Sequence, residues 1–321
     1  MRFTILSVLI FAAVVLISLP VLAGDQISVI AMGSPPGTSM NTVDVIPQTA
    51  TMLSGVPTSD WHYGCSATAA GMIFGYYDRH GYSNMYAGGT APLVYDLAAC
   101  NTIIATTTHQ NDYWISYGSS GPDPFEGNWA EHSWDQCTGD FMGTNQWKWD
   151  YIDDDGIRDF NVDGSTALFS HTTSGNKLYD YIPEAKYGLP QTALCHGMRL
   201  FVESRGYSVV QNYTQNLDTW ATSGFSFTDF MAEINAGRPL MIGLAGHSMV
   251  GVGYDNIAGP KVYFHDTWSY SVHEMAWGSS YSGMDWLNVT CIELVPIPEP
   301  TSMTLFGLGI LTIVIRRRRR S

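Results

Sequence analysis

Along the chain, apolar and polar positions alternate with two rhythms that separate the first half from the second. Residues 56–80 open on a Pro and a polar turn. The run "CSATAAGMIFGYYDRHG" follows, with small residues at 67, 69, 70 and 71 among larger apolar ones. That pattern predicts a helix beginning at Cys65, tightly buried because its small side chains allow close approach, and ended by Gly81. "TALCHGMRLFVESRGYS" predicts a second helix stopped by Gly206, and "SFTDFMAEINAGRP" a third over 228–236, broken by Gly237-Arg238-Pro239. Beyond that break, "LMIGLAGHSMVGVGYD" and "KVYFHDTW" read as strands, the latter with alternating apolar positions. Helices first and strands late predict an α+β plan, a helix-rich N-terminal half packed on an antiparallel sheet, rather than repeating βαβ units.

Other stretches carry weaker patterns. Residues 24–55 are rich in Ser, Thr, Pro, Gly and Met without sustained periodicity and read as an extended lead-in with one short strand. Residues 81–190 are dense in Gly, Asn, Asp, Trp and Tyr, which predicts loops with short elements, a long insertion within a domain spanning 56–294.

The two ends differ in kind from the body. "MRFTILSVLIFAAVVLISLPVLA", residues 1–23, has an early Arg, a long apolar stretch and small residues at its exit, the layout of a secretory signal cut after Ala23. Because the apolar run approaches spanning length, an N-terminal membrane anchor is the alternative. Near the other end, Pro298-Glu299-Pro300 precedes an apolar run from Met303 to Ile315 and then Arg316–Arg320. Such an arginine cluster would remain on the cytoplasmic side of a membrane. This tripartite tail, residues 295–321, resembles the PEP-CTERM sorting signal of Gram-negative bacteria that secrete exopolysaccharide. The resemblance implies transient retention in the inner membrane through the apolar C-terminal helix. An exosortase would then cleave near the Pro-Glu-Pro, leaving the protein at the cell surface or in the extracellular matrix.

Charge removes one class of partner. The chain has 15 Lys and Arg against 29 Asp and Glu, and six of the basic residues lie in the two ends, so the body carries about −20. Such a body repels nucleic acid, which rules out reading the five tail arginines as a nucleic-acid arm. Forty-one aromatic residues (10 Trp, 18 Tyr, 13 Phe) place the body among folded rather than disordered chains.

Thiol chemistry needs a cysteine whose thiolate is favoured, as at a helix N-terminus beside an imidazole that a third polar group holds. Cys65 opens its helix, His247 starts a strand, and Asp266 ends the next one after the turn "DNIAGP". If those strands pair, His247 and Asp266 come close to one another.

The segments "YGCSATAAGMIFGYYD", "INAGRPLMIGLAGHSMVGVGYD" and "VYFHDTW" resemble the bacteriocin-processing (double-glycine leader) group of papain-like cysteine peptidases, above all its stand-alone members. The resemblance implies a papain-like fold and a cysteine peptidase acting on a peptide or protein substrate. It also implies roles: Cys65 as nucleophile, His247 as base and ion-pair partner, Asp266 as the group orienting the imidazole. One position departs from the pattern. Where the group has a Gln six residues before the cysteine, this chain has Ser59. Ser59 and His62 are the candidate replacements beside the Cys65 N–H, and loss of one good oxyanion donor costs on the order of a hundredfold in rate. That departure keeps two alternatives open: a weak or inactive matrix or binding protein on the same fold, and an amide or isopeptide transferase using the same triad.

Competing readings of single residues remain. An exported chain favours disulfides, and Cys100, Cys137, Cys195 and Cys291 would make two pairs of undeduced partners, leaving Cys65 a thiol. Cys195 is a rival nucleophile near a helix start, though adjacent His196 diverges from it on a helix. His265 falls on the opposite sheet face from Asp266 and reads as structural. In "DFNVDG", Asp159, Asn161 and Asp163 alternate before a Gly as calcium ligands do, but Ser170 stands where a calcium loop has its Glu. The triad itself requires no cofactor.

Overall fold

The computed structural model describes residues 28–32, 39–59, 61, 64–85, 137–144, 166–170, 194–257 and 259–296. The signal-like segment 1–23, the tail from 297, His62, Cys100 and the candidate calcium residues Asp159, Asn161 and Asp163 lie outside them.

The described strands, in chain order, are β1 (Ser28–Met32), β2 (Thr51–Met52), β3 (Thr166–Ser170), β4 (Val209–Asn216), β5 (Leu240–Leu244), β6 (His247–Asp255), β7 (Lys261–His265), β8 (His273–Ala276) and β9 (Trp286–Leu294). The helices are α1 (Cys65–Arg79), α2 (Thr138–Met142), α3 (Leu194–Ser204) and α4 (Phe227–Asn235). A seven-stranded antiparallel sheet runs in the order β4-β9-β5-β6-β7-β8, with β2 pairing the far end of β6. β1 and β3 form a separate antiparallel pair.

Alternation along the sheet builds two cores. Met241, Val250, Val252, Tyr263 and Ile292 face α1, α2 and α3, packing on Ile73, Phe74, Phe141, Met198 and Phe201. Their strand neighbours Ile242, Met249, Val262 and Phe264 face the other way, against Phe230 and Ile234 of α4 and the buried Trp286. The arrangement is therefore α+β with an antiparallel sheet, as the patterning predicts. One feature differs: α4 covers the sheet face opposite the other helices.

α1 is the central helix. Every residue from Cys65 to Asp78 is buried, which its small residues permit. At its start, Gly64 has φ 104°, a conformation that side chains disfavour, and it provides no side-chain cap. α4 begins differently, with a capping box in which Ser226 accepts from the Asp229 N–H while the Asp229 side chain accepts from the Ser226 N–H.

The lead-in is part of the fold. Val43 N–H donates to Val272 O and Glu274 N–H to Asn41 O, so residues 41–43 line the outer edge of β8. Such pairing protects an edge strand. At the other end, β9 closes with the Val295 N–H on Ser208 O (2.8 Å) and the Tyr82 hydroxyl on Val295 O (3.2 Å).

Among the described residues the expected disulfides are absent. Cys137, Cys195 and Cys291, like Cys65, are thiols. Geometry gives the reason for one pair: Cys195 lies in the core beneath α3 and Cys291 in the core on the opposite side of the sheet. Among the described residues no helix is long and apolar enough to cross a membrane.

Candidate active site

α1 delivers Cys65 to the edge of β6. Its Sγ accepts a hydrogen bond from the Ser248 main-chain N–H (3.2 Å), and the hydroxyls of Ser66 and Ser248 meet at 2.8 Å just behind it. Gly246, at φ 99°, turns the chain into β6 so that His247 is its first residue. Ser248 faces α1, and the alternation of a strand sends the His247 ring the other way, stacked on Trp268 with centroids 4.0 Å apart.

β6 and β7 pair, and this brings His247 to the end of β7. His247 Nε2 donates to the main-chain carbonyl of Asp266 (2.8 Å). Because a carbonyl only accepts, the proton is on Nε2 and the lone pair on Nδ1. That Nδ1 is buried and has no hydrogen-bond partner.

The Asp266 carboxylate is engaged elsewhere. Its Oδ2 accepts from the hydroxyls of Ser39 (2.6 Å) and Tyr281 (2.9 Å), with His273 Nε2 at 3.4 Å. Its Oδ1 accepts from the N–H groups of Trp268 (3.1 Å) and Ser269 (2.9 Å) and from the Ser269 hydroxyl (3.1 Å). Thus the three predicted residues converge on one end of the sheet in part. Cys65 meets the strand that His247 begins, and His247 meets the main chain of Asp266. The sulfur and the imidazole make no hydrogen bond with each other, and neither does the imidazole with the carboxylate.

Electrostatics differ from the expected ion pair. Burial pushes the Cys65 thiol up to about 11, against the smaller lowering effect of the Ser248 N–H. Burial pushes His247 down to about 4, with the Asp266 carbonyl acting in the opposite sense. Desolvation of a fully enclosed pair outweighs the helix terminus, so both groups are neutral at pH 7.

The other candidates fall as follows. Ser59 is fully buried. Cys195 is the second residue of α3, where the Asn212 amide donates to its carbonyl (2.7 Å) and its sulfur (3.3 Å), inside the helix-side core. His265 is buried, its Nδ1 donates to Ser271 O (3.2 Å), and burial lowers its pKa to about 4, which fits a structural role. Among the described residues no cluster of His, Cys, Asp or Glu could hold a metal.

Sequence reasoning missed the setting of Asp266. Ser39 lies 227 residues away and Tyr281 fifteen, and neither has a local signature. Trp268 did carry a signal, as the third residue of Asp266-Thr267-Trp268.

Two parts of the chain match known families. Residues 165–291 match the Peptidase C39 like family, and residues 296–320 match the PEP-CTERM protein-sorting motif. The first match covers β3 to β8 and the first six residues of β9, with His247 and Asp266, and begins after α1 and Cys65. No curated protein and no solved structure matches the chain. The chain thus carries a peptidase C39-like domain, which implies a papain-like fold, and a C-terminal PEP-CTERM motif, which implies export and exosortase sorting to the cell surface.

Proposed function

We propose that the protein is an exported cysteine peptidase that is held transiently at the inner membrane and then released to the surface or matrix. Cys65 attacks a peptide carbonyl, its proton passes to His247 Nδ1, and the resulting imidazolium protonates the departing amine. Water then hydrolyses the thioester. The N–H of Cys65, at a helix start without a side-chain cap, is one oxyanion donor, and Ser59 or His62 provides the other. Asp266 orients the imidazole. One observation carries the reading: a cysteine at the mouth of a buried helix touches the strand begun by a histidine whose Nε2 is fixed and whose Nδ1 lone pair is open. The resting thiol points at Ser248 while the His247 ring lies on the other face of β6, so the thiol must swing past the start of that strand to reach Nδ1 before the reaction begins.

Comparing wild type with Cys65→Ala for hydrolysis of a denatured protein and for labelling by a thiol-directed epoxide tests the reading. Both signals disappear in the variant if it holds, and hydrolysis that survives the substitution refutes it. A second reading, a weak or inactive binding protein on the same fold, is favoured by the fully buried, neutral thiol and by Ser59 in place of Gln. A folded wild type that neither cleaves nor labels would establish it. Amide or isopeptide transfer would show instead as Cys65-dependent ligation to an added amine.

A further inference from the structure

We propose that the main-chain carbonyl of Asp266, seconded by the Thr267 hydroxyl, orients His247, and that the Asp266 carboxylate instead clamps the turn carrying both. This rests on the peptidase reading above and assigns the orienting function at that site to different atoms.

Three consecutive residues hold the ring. Asp266 does so through its carbonyl at 2.8 Å, Thr267 through Oγ1 at 3.4 Å from Nε2, and Trp268 through a stacked indole. Thr267 Oγ1 also donates to Ser248 O (3.2 Å), which ties the turn to the residue whose N–H meets Cys65 Sγ. The backbone at Thr267 has φ 61°, a region that β-branched residues rarely enter, and the side chain is fully buried. A strained threonine occupies the turn that touches the imidazole, and its hydroxyl bridges the two halves of the site.

The carboxylate points the opposite way. Both oxygens accept from the lead-in, the following turn and Tyr281, and contact with the imidazole would require those bonds to break. Main-chain N–H groups bonded to Oδ1 fix the conformation of residues 266–269, and this conformation aims the carbonyl. A neutral carbonyl fixes the tautomer without adding negative charge beside the ring. During the reaction the thiol proton moves to Nδ1 and the Nε2–H bond to Asp266 O persists.

Nitrogen-15 NMR of His247 in the purified protein reads the tautomer directly, whether or not a substrate is known. In wild type Nε2 is protonated and slow to exchange. Asp266→Asn keeps that tautomer, because the amide oxygen still accepts from Trp268 and Ser269, and kcat/KM falls by less than tenfold. Thr267→Val lowers kcat at least tenfold with KM unchanged and speeds exchange of the Nε2 proton, and Thr267→Ser restores both readouts. Should Asp266→Asn fail to fold, Tyr281→Phe, which removes one clamp from the carboxylate, leaves the tautomer in place. The proposal is overturned if a folded Asp266→Asn protein loses the Nε2–H form, or if Thr267→Val matches wild type. Absence of Cys65-dependent hydrolysis in wild type would sink the peptidase reading alone, since the tautomer measurement decides this proposal independently.

Discussion

The reactivity of Cys65 as a function of pH tests the electrostatics of the site most directly. An ordinary cysteine, at 9.0, is about 1% thiolate at pH 7; at about 11 the fraction falls near 0.01%. Holding the thiol at about 11 rather than 9.0 corresponds to roughly 3 kcal/mol favouring its neutral form. Alkylation of Cys65 by iodoacetamide is therefore about a hundredfold slower at pH 7 than that of an exposed thiol, before any steric protection. Its rate climbs about tenfold per pH unit from pH 6 to 10. Peptide mapping by mass spectrometry separates Cys65 from Cys100, Cys137, Cys195 and Cys291. A rapid rate that is flat between pH 5 and 8 would mean a resting thiolate–imidazolium pair. Such a profile would refute the argument that burial outweighs the helix terminus here.

Acid destabilises the fold through two histidines. His247 and His265, held near 4 against 6.5 unfolded, contribute stability that is complete above 6.5 and is lost as pH falls toward 4. Urea titrations at pH 7 and pH 5 differ by about 2 kcal/mol for each histidine, and equal midpoints would contradict their burial as neutral rings. Gly64→Ala forces a Cβ onto φ 104° and costs about 1–3 kcal/mol, measured as a lowered Tm; an unchanged Tm would show that the turn before Cys65 can relax. Adding reductant leaves Tm in place, because Cys137, Cys195 and Cys291 are thiols; a clear drop would restore the disulfide expectation.

Local signals in the sequence were enough to locate the parts of the site, and contacts between distant parts were not. The small-residue run predicted α1, and the Ser226–Asp229 cap places α4 at Phe227–Asn235, one residue from the expected span. The His247–Asp266 approach followed from a turn between two alternating segments. β9 escaped because it lies in the sheet interior with most positions buried on both faces, which erases the alternation that marks a half-exposed strand. The disulfide arithmetic failed because cysteine counts carry no information about which side of a sheet each residue occupies. The direction of the Asp266 carboxylate depended on Ser39 and Tyr281, whose proximity only the folded chain creates.

The end of β9 bears on how a sorting enzyme would reach the tail. Val295 is fastened to Ser208 and Tyr82, and the Pro298–Pro300 tripeptide begins three residues later, a reach of at most about 10 Å of extended chain. A sorting protease working at that tripeptide has almost no leash. It must either accept a globular body pressed against its own mouth or wait for the last strand to peel, and the release rate then reports on the fraying of β9.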